Sequence, residues 1–258
     1  MINRRTFSTA LAAGVASSVL GIDRIARAAS PTRNIVFVHG LYADGSCWSD
    51  VITRLQADGF RCTSAQNPLT TFEQDVAALQ RALMMQDGPT VLVAHSYGGM
   101  VATQAGVDPK VVAIVYIAAR GPDANEDYTA LAKKFPTPPA SMGLVKVGDY
   151  LVLSETAFLN DFANGVDPIR AKELYAVQAP NAASLSPTAK ATVAAWRSKP
   201  TWYAVSKQDR TIDPDLERFM AKRMKATTIE IDAGHLSLVS HPDEVTNLIL
   251  EAAGHAQS

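Results

Sequence analysis

Ser96 stands in Ala94-His95-Ser96-Tyr97-Gly98-Gly99, with a small residue two positions away on either side. The apolar run from Thr90 to Ala94 precedes it and a helical segment follows, so the serine falls at a strand-to-helix turn. Such a turn strains the backbone, admits only small neighbours and holds the hydroxyl out at a sheet edge. The helix that starts there favours negative charge developing beside its N-terminus. Ala94 replaces the glycine usual at the first position of G-x-S-x-G and keeps the steric logic. Read alone, the pattern also fits a buried serine in a tight turn. A catalytic reading needs a base, because a serine hydroxyl is a poor nucleophile until its proton is taken.

The chain has 5 histidines to supply one. His95 adjoins Ser96 on a strand, where successive side chains point to opposite faces. His39 precedes Gly40 at the end of the run Asn34 to Val38 and reads as a loop-orienting residue. His241 stands at a helix start and His255 in a polar tail. His235, in Ala233-Gly234-His235-Leu236 just past the run from Thr227 to Ile231, is the expected general base. A carboxylate must then hold its tautomer and stabilise the imidazolium. Asp209 follows the run from Trp202 to Val205 and is the expected partner. Asp213 and Asp215 suit a helix cap and first turn instead. Asp232 sits awkwardly ahead of the histidine loop, and Asp123 is the fallback.

Elements of two kinds must position these residues. The short apolar runs starting at Asn34, Thr90, Val111, Trp202 and Thr227 fit strands buried on both faces, as in a parallel sheet. Phe72, Val76, Leu79 and Leu83 recur at helical spacing, Trp48 to Asp58 reads as a helix, and Val245, Leu248, Ile249 and Ala252 form the stripe of the last one. Asp213-Pro214 and His241-Pro242 are helix starts. Strands alternating with helices predict an α/β fold with a mostly parallel sheet. Between Gly121 and Lys199 no strand of that sheet is evident, while Asp167-Pro168 and Ser186-Pro187 signal helices. An ordinary connection is only a few residues long. The expected organisation is a core over residues 34–120 and 200–254, with an inserted cap over residues 121–199. Tyr150, Leu151, Leu153, Phe158, Phe162 and Tyr175 could line a pocket under this cap or form its own core.

Residues 1–28 predict an address. Arg4-Arg5, an apolar stretch from Ala10 to Ile22 and the small residues around Ala28 follow the order of a bacterial twin-arginine export signal. Its removal leaves 20 basic and 24 acidic residues, a net charge of -4. The expected location is exported, periplasmic or secreted, with no stable membrane association, since the run is shorter than the ~20 residues that span a bilayer. A full-chain charge of -1 gives no basic footprint for nucleic acid. Cys47 and Cys62, near opposite ends of the helix from Trp48 to Asp58, would be about 16 Å apart, beyond the ~7 Å a disulfide allows. Both are expected to be small buried core residues.

Together, Val38-His39-Gly40, the Ser96 hexapeptide, Asp209-Arg210-Thr211-Ile212-Asp213-Pro214 and Gly234-His235 resemble the α/β-hydrolase superfamily. The narrower likeness is to its small single-domain branch of methylesterases, hydroxynitrile lyases and bacterial carboxylesterases. The resemblance covers about residues 34–253 and implies a six-stranded core with helices on both faces. It also implies an oxyanion hole from the Leu41 and Tyr97 backbone N–H groups, a small-molecule ester as substrate, and no metal or organic cofactor. Leu236 stands where lyases of this branch carry a catalytic lysine, which favours hydrolysis. A serine hydrolase working through an acyl-enzyme is expected. A cofactor-free perhydrolase, a lactone or amide hydrolase and a triad-bearing ligand-binding protein are the alternatives. Oligomeric state is not legible.

Overall fold

The computed structural model describes residues 32–254; the expected leader and His255 lie outside them. Strands β1 (Asn34–Val38), β2 (Arg61–Ala65), β3 (Thr90–His95) and β4 (Val111–Ile117) join β8 (Thr201–Ser206) and β9 (Thr227–Ile231) in a parallel sheet. Its order is β2-β1-β3-β4-β8-β9. The chain reverses direction of progress at β1 and β3, so the carboxyl ends of these two neighbours open the crevice where such sheets place ligands.

The apolar runs of β1, β3, β4 and β8 are nearly continuous because both faces of the sheet are covered there; β9, expected to be buried on both faces, is an edge strand with Thr227, Thr228 and Glu230 exposed. Val36, Val38, Leu92 and Ala94 pack into one buried cluster, and Ile35, Phe37, Val91 and Val93 into the other. Helices α1 (Ser49–Ala57) and α6 (Pro242–Ala252) cover the second face with Val51, Leu55, Val245 and Leu248. Helices α2 (Phe72–Met84), α3 (Gly98–Ala105) and α5 (Pro214–Met224) cover the first with Leu79, Met100 and Met220. The Asp213 side chain caps α5 by accepting from the Asp215 and Leu216 N–H groups, as its place before Pro214 predicts.

Between β4 and β8 the chain builds a small sheet of its own. Strands β5 (Leu144–Val147), β6 (Tyr150–Leu153) and β7 (Asn181–Ala182) pair antiparallel. Helix α4 (Pro168–Ala176), capped by Asp167, lies between β6 and β7 in the chain. The sequence reading anticipated no strands here. β5 is exposed along its whole length, so its Leu-Val-Lys-Val lacks the alternation that marks a half-buried strand. The signal that could have found it is the turn Gly148-Asp149, with Gly148 at φ +59°. The helix signalled at Ser186-Pro187 is the single turn Leu185–Thr188. One further expectation needs correction. Cys62 is half-buried because β2 is an edge strand of mixed polarity; Cys47 is buried, and both thiols are free. Among the described residues no helix is long and apolar enough to cross a membrane.

β3 hands over to α3 within two residues, and that economy depends on glycine. A Cβ on Gly98 would sit 2.6 Å from the Val38 carbonyl oxygen and 2.7 Å from that of His39, both rigid backbone of β1 and its exit. Gly98→Ala is therefore expected to lower unfolding stability by about 1–3 kcal/mol, the usual range for overpacking. Urea denaturation measures it, and an unchanged midpoint would contradict this packing.

Candidate active site

Ser96 occupies the turn between β3 and α3 at φ +54°, a left-handed conformation that a non-glycine residue adopts at a cost. Its surroundings hold it there. Gly40 packs so closely that a Cβ on it would lie 2.6 Å from the Ser96 Cβ. The Ser96 carbonyl accepts from Gly99 at 3.0 Å and from Arg120 at 2.9 Å. Ser96 itself is buried. Its hydroxyl lies 2.9 Å from the His235 Nε2.

His235 arrives on the loop after β9 and is fully buried. Gly234 before it is demanded by contact, since a Cβ there would meet the Asn164 Oδ1 at 2.2 Å. The His235 Nδ1 donates to the Asp209 Oδ2 at 2.5 Å, which leaves Nε2 to accept the serine proton. Asp209 follows β8, and its Oδ1 accepts the Thr211 and Ile212 N–H groups at 2.6 and 2.9 Å. The structure thus brings Ser96, His235 and Asp209 into one hydrogen-bonded row. The rivals are engaged elsewhere: Asp123 pairs with Arg197, Asp232 with Gln208 and Lys207, and Asp213 caps α5.

Leu41 and Tyr97 flank the serine, and both are buried. Among the described residues neither backbone N–H has an acceptor, an uncommon state for buried donors. His39 fixes the loop carrying Leu41. Its Nδ1 donates to the Gly40 carbonyl at 2.9 Å, and its Nε2 accepts the Asn67 N–H at 2.9 Å. Burial lowers its pKa, consistent with a neutral ring.

Three contributors were invisible in the sequence. His95, dismissed there as a base, donates from Nε2 to the His235 carbonyl at 3.1 Å, and its ring lies 4.6 Å from the His235 ring. Burial pushes its pKa well down, so it supports the loop as a neutral ring. The Tyr97 side chain is the second: its hydroxyl donates to the buried Asp75 on α2 at 2.7 Å. Glu217 on α5 is the third. It has no exposed surface, its Oε2 accepts the Ser206 N–H at 3.0 Å, and Asp209 is the neighbouring charge that acts on it. Two adjoining buried carboxyls cannot both ionise, and the one with fewer donors keeps the proton. Burial, then the Asp209 charge, hold the Glu217 carboxyl well above the usual range. The described residues contain no group of three His, Cys, Asp or Glu side chains that could hold a metal ion.

A hydroxyl, an imidazole and a carboxylate in this order can transfer an acyl group. The alpha/beta hydrolase family profile matches residues 35–248. The chain belongs to that family. It is 25% identical to probable hydrolase R7 of the fungus Phoma sp. over 85% of the chain and 98% of that protein. Identity is likewise 25% to esterase PIR7B of rice, over 87% of the chain and 97% of the relative. The solved structure of polyneuridine aldehyde esterase superposes with a TM-score of 0.74 at 18% identity, covering 85% of this chain and 98% of that one. These relatives bear out the small single-domain branch. They also correct one expectation: R7 and PIR7B, matched along nearly their whole length, come from a fungus and a plant, so the bacterial, exported location is withdrawn. An arginine pair ahead of a short Ala-rich run is a pattern of composition with no geometry behind it, and it falls outside the described residues.

The buried Glu217 yields a pH test. Its carboxyl ordinarily titrates at 4.5 and is held well above that when folded. The unfolded chain therefore loses this proton first, and the wild type loses stability as pH rises from 4.5 towards the folded value. Glu217→Gln removes the titration. Its stability relative to wild type should rise with pH between 4.5 and the folded value, by at most about 1.4 kcal/mol per pH unit. Urea unfolding at pH 5, 6 and 7 measures the trend, and a flat difference would contradict a neutral Glu217.

Proposed function

We propose that Ser96, His235 and Asp209 are a catalytic triad that hydrolyses carboxylic esters through an acyl-enzyme. Family membership and the esterase relatives make the chain a carboxylic ester hydrolase. The finer reading is supported chiefly by one observation, the row from the Ser96 hydroxyl through His235, at 2.9 Å, to Asp209, at 2.5 Å.

In this reading the Ser96 oxygen attacks the ester carbonyl carbon while its proton passes to the His235 Nε2. The carbonyl oxygen becomes an oxyanion held by the Leu41 and Tyr97 N–H groups. Collapse of the tetrahedral adduct breaks the bond to the alkoxy oxygen, which leaves as alcohol with the proton from His235. Water then attacks the acyl-enzyme as His235 removes its proton, and a second collapse frees the acid and restores the serine. Asp209 keeps the Nδ1 proton in place and stabilises the imidazolium in each half. Residues 121–199 act as the cap, with Leu151 and Leu153 lining a cavity below it and Phe162 packed 5.2 Å from the His235 ring. Leu236, fully packed beside the base, offers no charge to a cyanide leaving group, which supports hydrolysis over lyase chemistry.

Ser96→Ala should lower kcat on p-nitrophenyl acetate or butyrate by a factor on the order of 10⁴ to 10⁶, and Asp209→Asn by about 10⁴. Release of p-nitrophenol measures both. A Ser96→Ala protein that retains most of its turnover would end the proposal.

A further inference from the structure

Arg120 follows the end of β4, and its guanidinium lies on the wall of a cavity of about 270 Å³. Leu41 and Tyr42, from the loop beside the proposed oxyanion hole, form part of the same wall, with Leu151 and Leu153 opposite from β6. Arg54, Arg170, Arg218 and Arg223 are partly buried arginines, and each pairs with a carboxylate: Asp243, Glu173, Glu230 and Glu126. Arg120 is as buried as these, yet among the described residues it has no carboxylate partner. Its cation is met only by the Ser186 hydroxyl at 2.9 Å and by the faces of Tyr97 and Tyr128, with centroids 5.9 and 5.0 Å away.

Other polar atoms on this wall are in the same state. The Arg120 Nε, the Asn181 Oδ1 and the Thr211 Oγ1 are buried without a hydrogen-bond partner among the described residues. All three residues line the cavity, and Asn181 has no exposed surface at all. A buried cation and buried polar groups without partners are costly, so such a wall suits an occupant that supplies the missing anion and hydrogen bonds. The Asn181 amide can turn to offer its NH₂ as readily as its oxygen. The hydrophobic side of the cavity suits a short carbon chain between that anion and the ester.

Building on the proposed esterase reading, we infer that this site selects esters bearing a carboxylate away from the scissile carbonyl, with Arg120 as the residue that binds it. Half-esters of dicarboxylic acids are the simplest members of the class. Hydrolysis of such a substrate adds water across one ester bond and releases an alcohol and a dicarboxylate, while the recognised carboxylate takes no part in bond making.

Monomethyl glutarate and its neutral counterparts dimethyl glutarate and methyl pentanoate test this directly. In wild type, kcat/KM should favour the half-ester over both neutral esters, and free glutarate should inhibit competitively where 1-pentanol does not. Arg120→Met should reduce the half-ester to neutral-ester ratio about 10- to 100-fold, the range for a charge-assisted hydrogen bond. Arg120→Lys should restore part of that ratio. Wild-type protein that hydrolyses the neutral esters as well as or better than the half-ester would overturn the inference and leave the esterase proposal standing. Should Arg120→Met misfold, the wild-type preference and the glutarate inhibition still decide. If wild type cleaves neither these esters nor p-nitrophenyl esters, it is the esterase proposal that fails.

Discussion

The left-handed backbone at Ser96, φ +54°, is the constraint on which the rest of the structure turns. Such a conformation costs roughly 1–3 kcal/mol and persists only where packing leaves no alternative. Gly40 and Gly98 permit that packing, since side chains at either would collide with Ser96 or with the end of β1. β1 and β3 are buried throughout, so the turn is anchored to the most rigid part of the molecule. A serine relaxed into ordinary helical geometry would turn its hydroxyl away from His235. The six-stranded sheet therefore acts as the fixture for one strained residue.

Around that serine the protein places polar groups in order of charge. Asp209 accepts from the Thr211 and Ile212 N–H groups and from His235. Glu217 stands behind it in neutral form, and His39 and His95 are neutral rings bracing the two loops that carry Leu41 and His235. Each neutral partner donates or accepts without adding a second charge to a water-poor site. That economy keeps the negative charge where an imidazolium would need it, at the Asp209–His235 contact. Aromatic packing completes the enclosure, with Phe162 touching the rings of both Tyr42 and His235.

Ser96, Asp209 and His235 could be singled out because each lies shortly after the end of a strand, and a parallel sheet gathers such ends at one edge. β1, β3, β4 and β8 were legible as apolar runs, whereas β9 is an exposed edge strand. β2 escaped because an edge strand of Arg-Cys-Thr-Ser-Ala carries no apolar run, and it entered only through the family resemblance. The β5–β6 hairpin escaped because its outward-facing residues are apolar, which erases the alternation. Glu217, Asp75 and His95 could not be found by spacing at all. Their roles come from contacts between α5 and β8, between α2 and α3, and between β3 and the last loop, none of which leaves a local pattern.

The interval between β4 and β8 supplies most of the lining of a cavity that joins an apolar side to an arginine without a carboxylate partner among the described residues. In the proposed reaction the Ser96 oxygen is the atom that takes up the acyl group. Treating the protein with a fluorophosphonate, then weighing the intact chain and mapping its peptides, examines that oxygen most directly. One phosphonyl group per chain, carried by the Ser96 peptide and lost with hydrolytic activity, is the predicted result. Labelling at another residue, or full hydrolysis by a protein already modified at Ser96, would contradict the account.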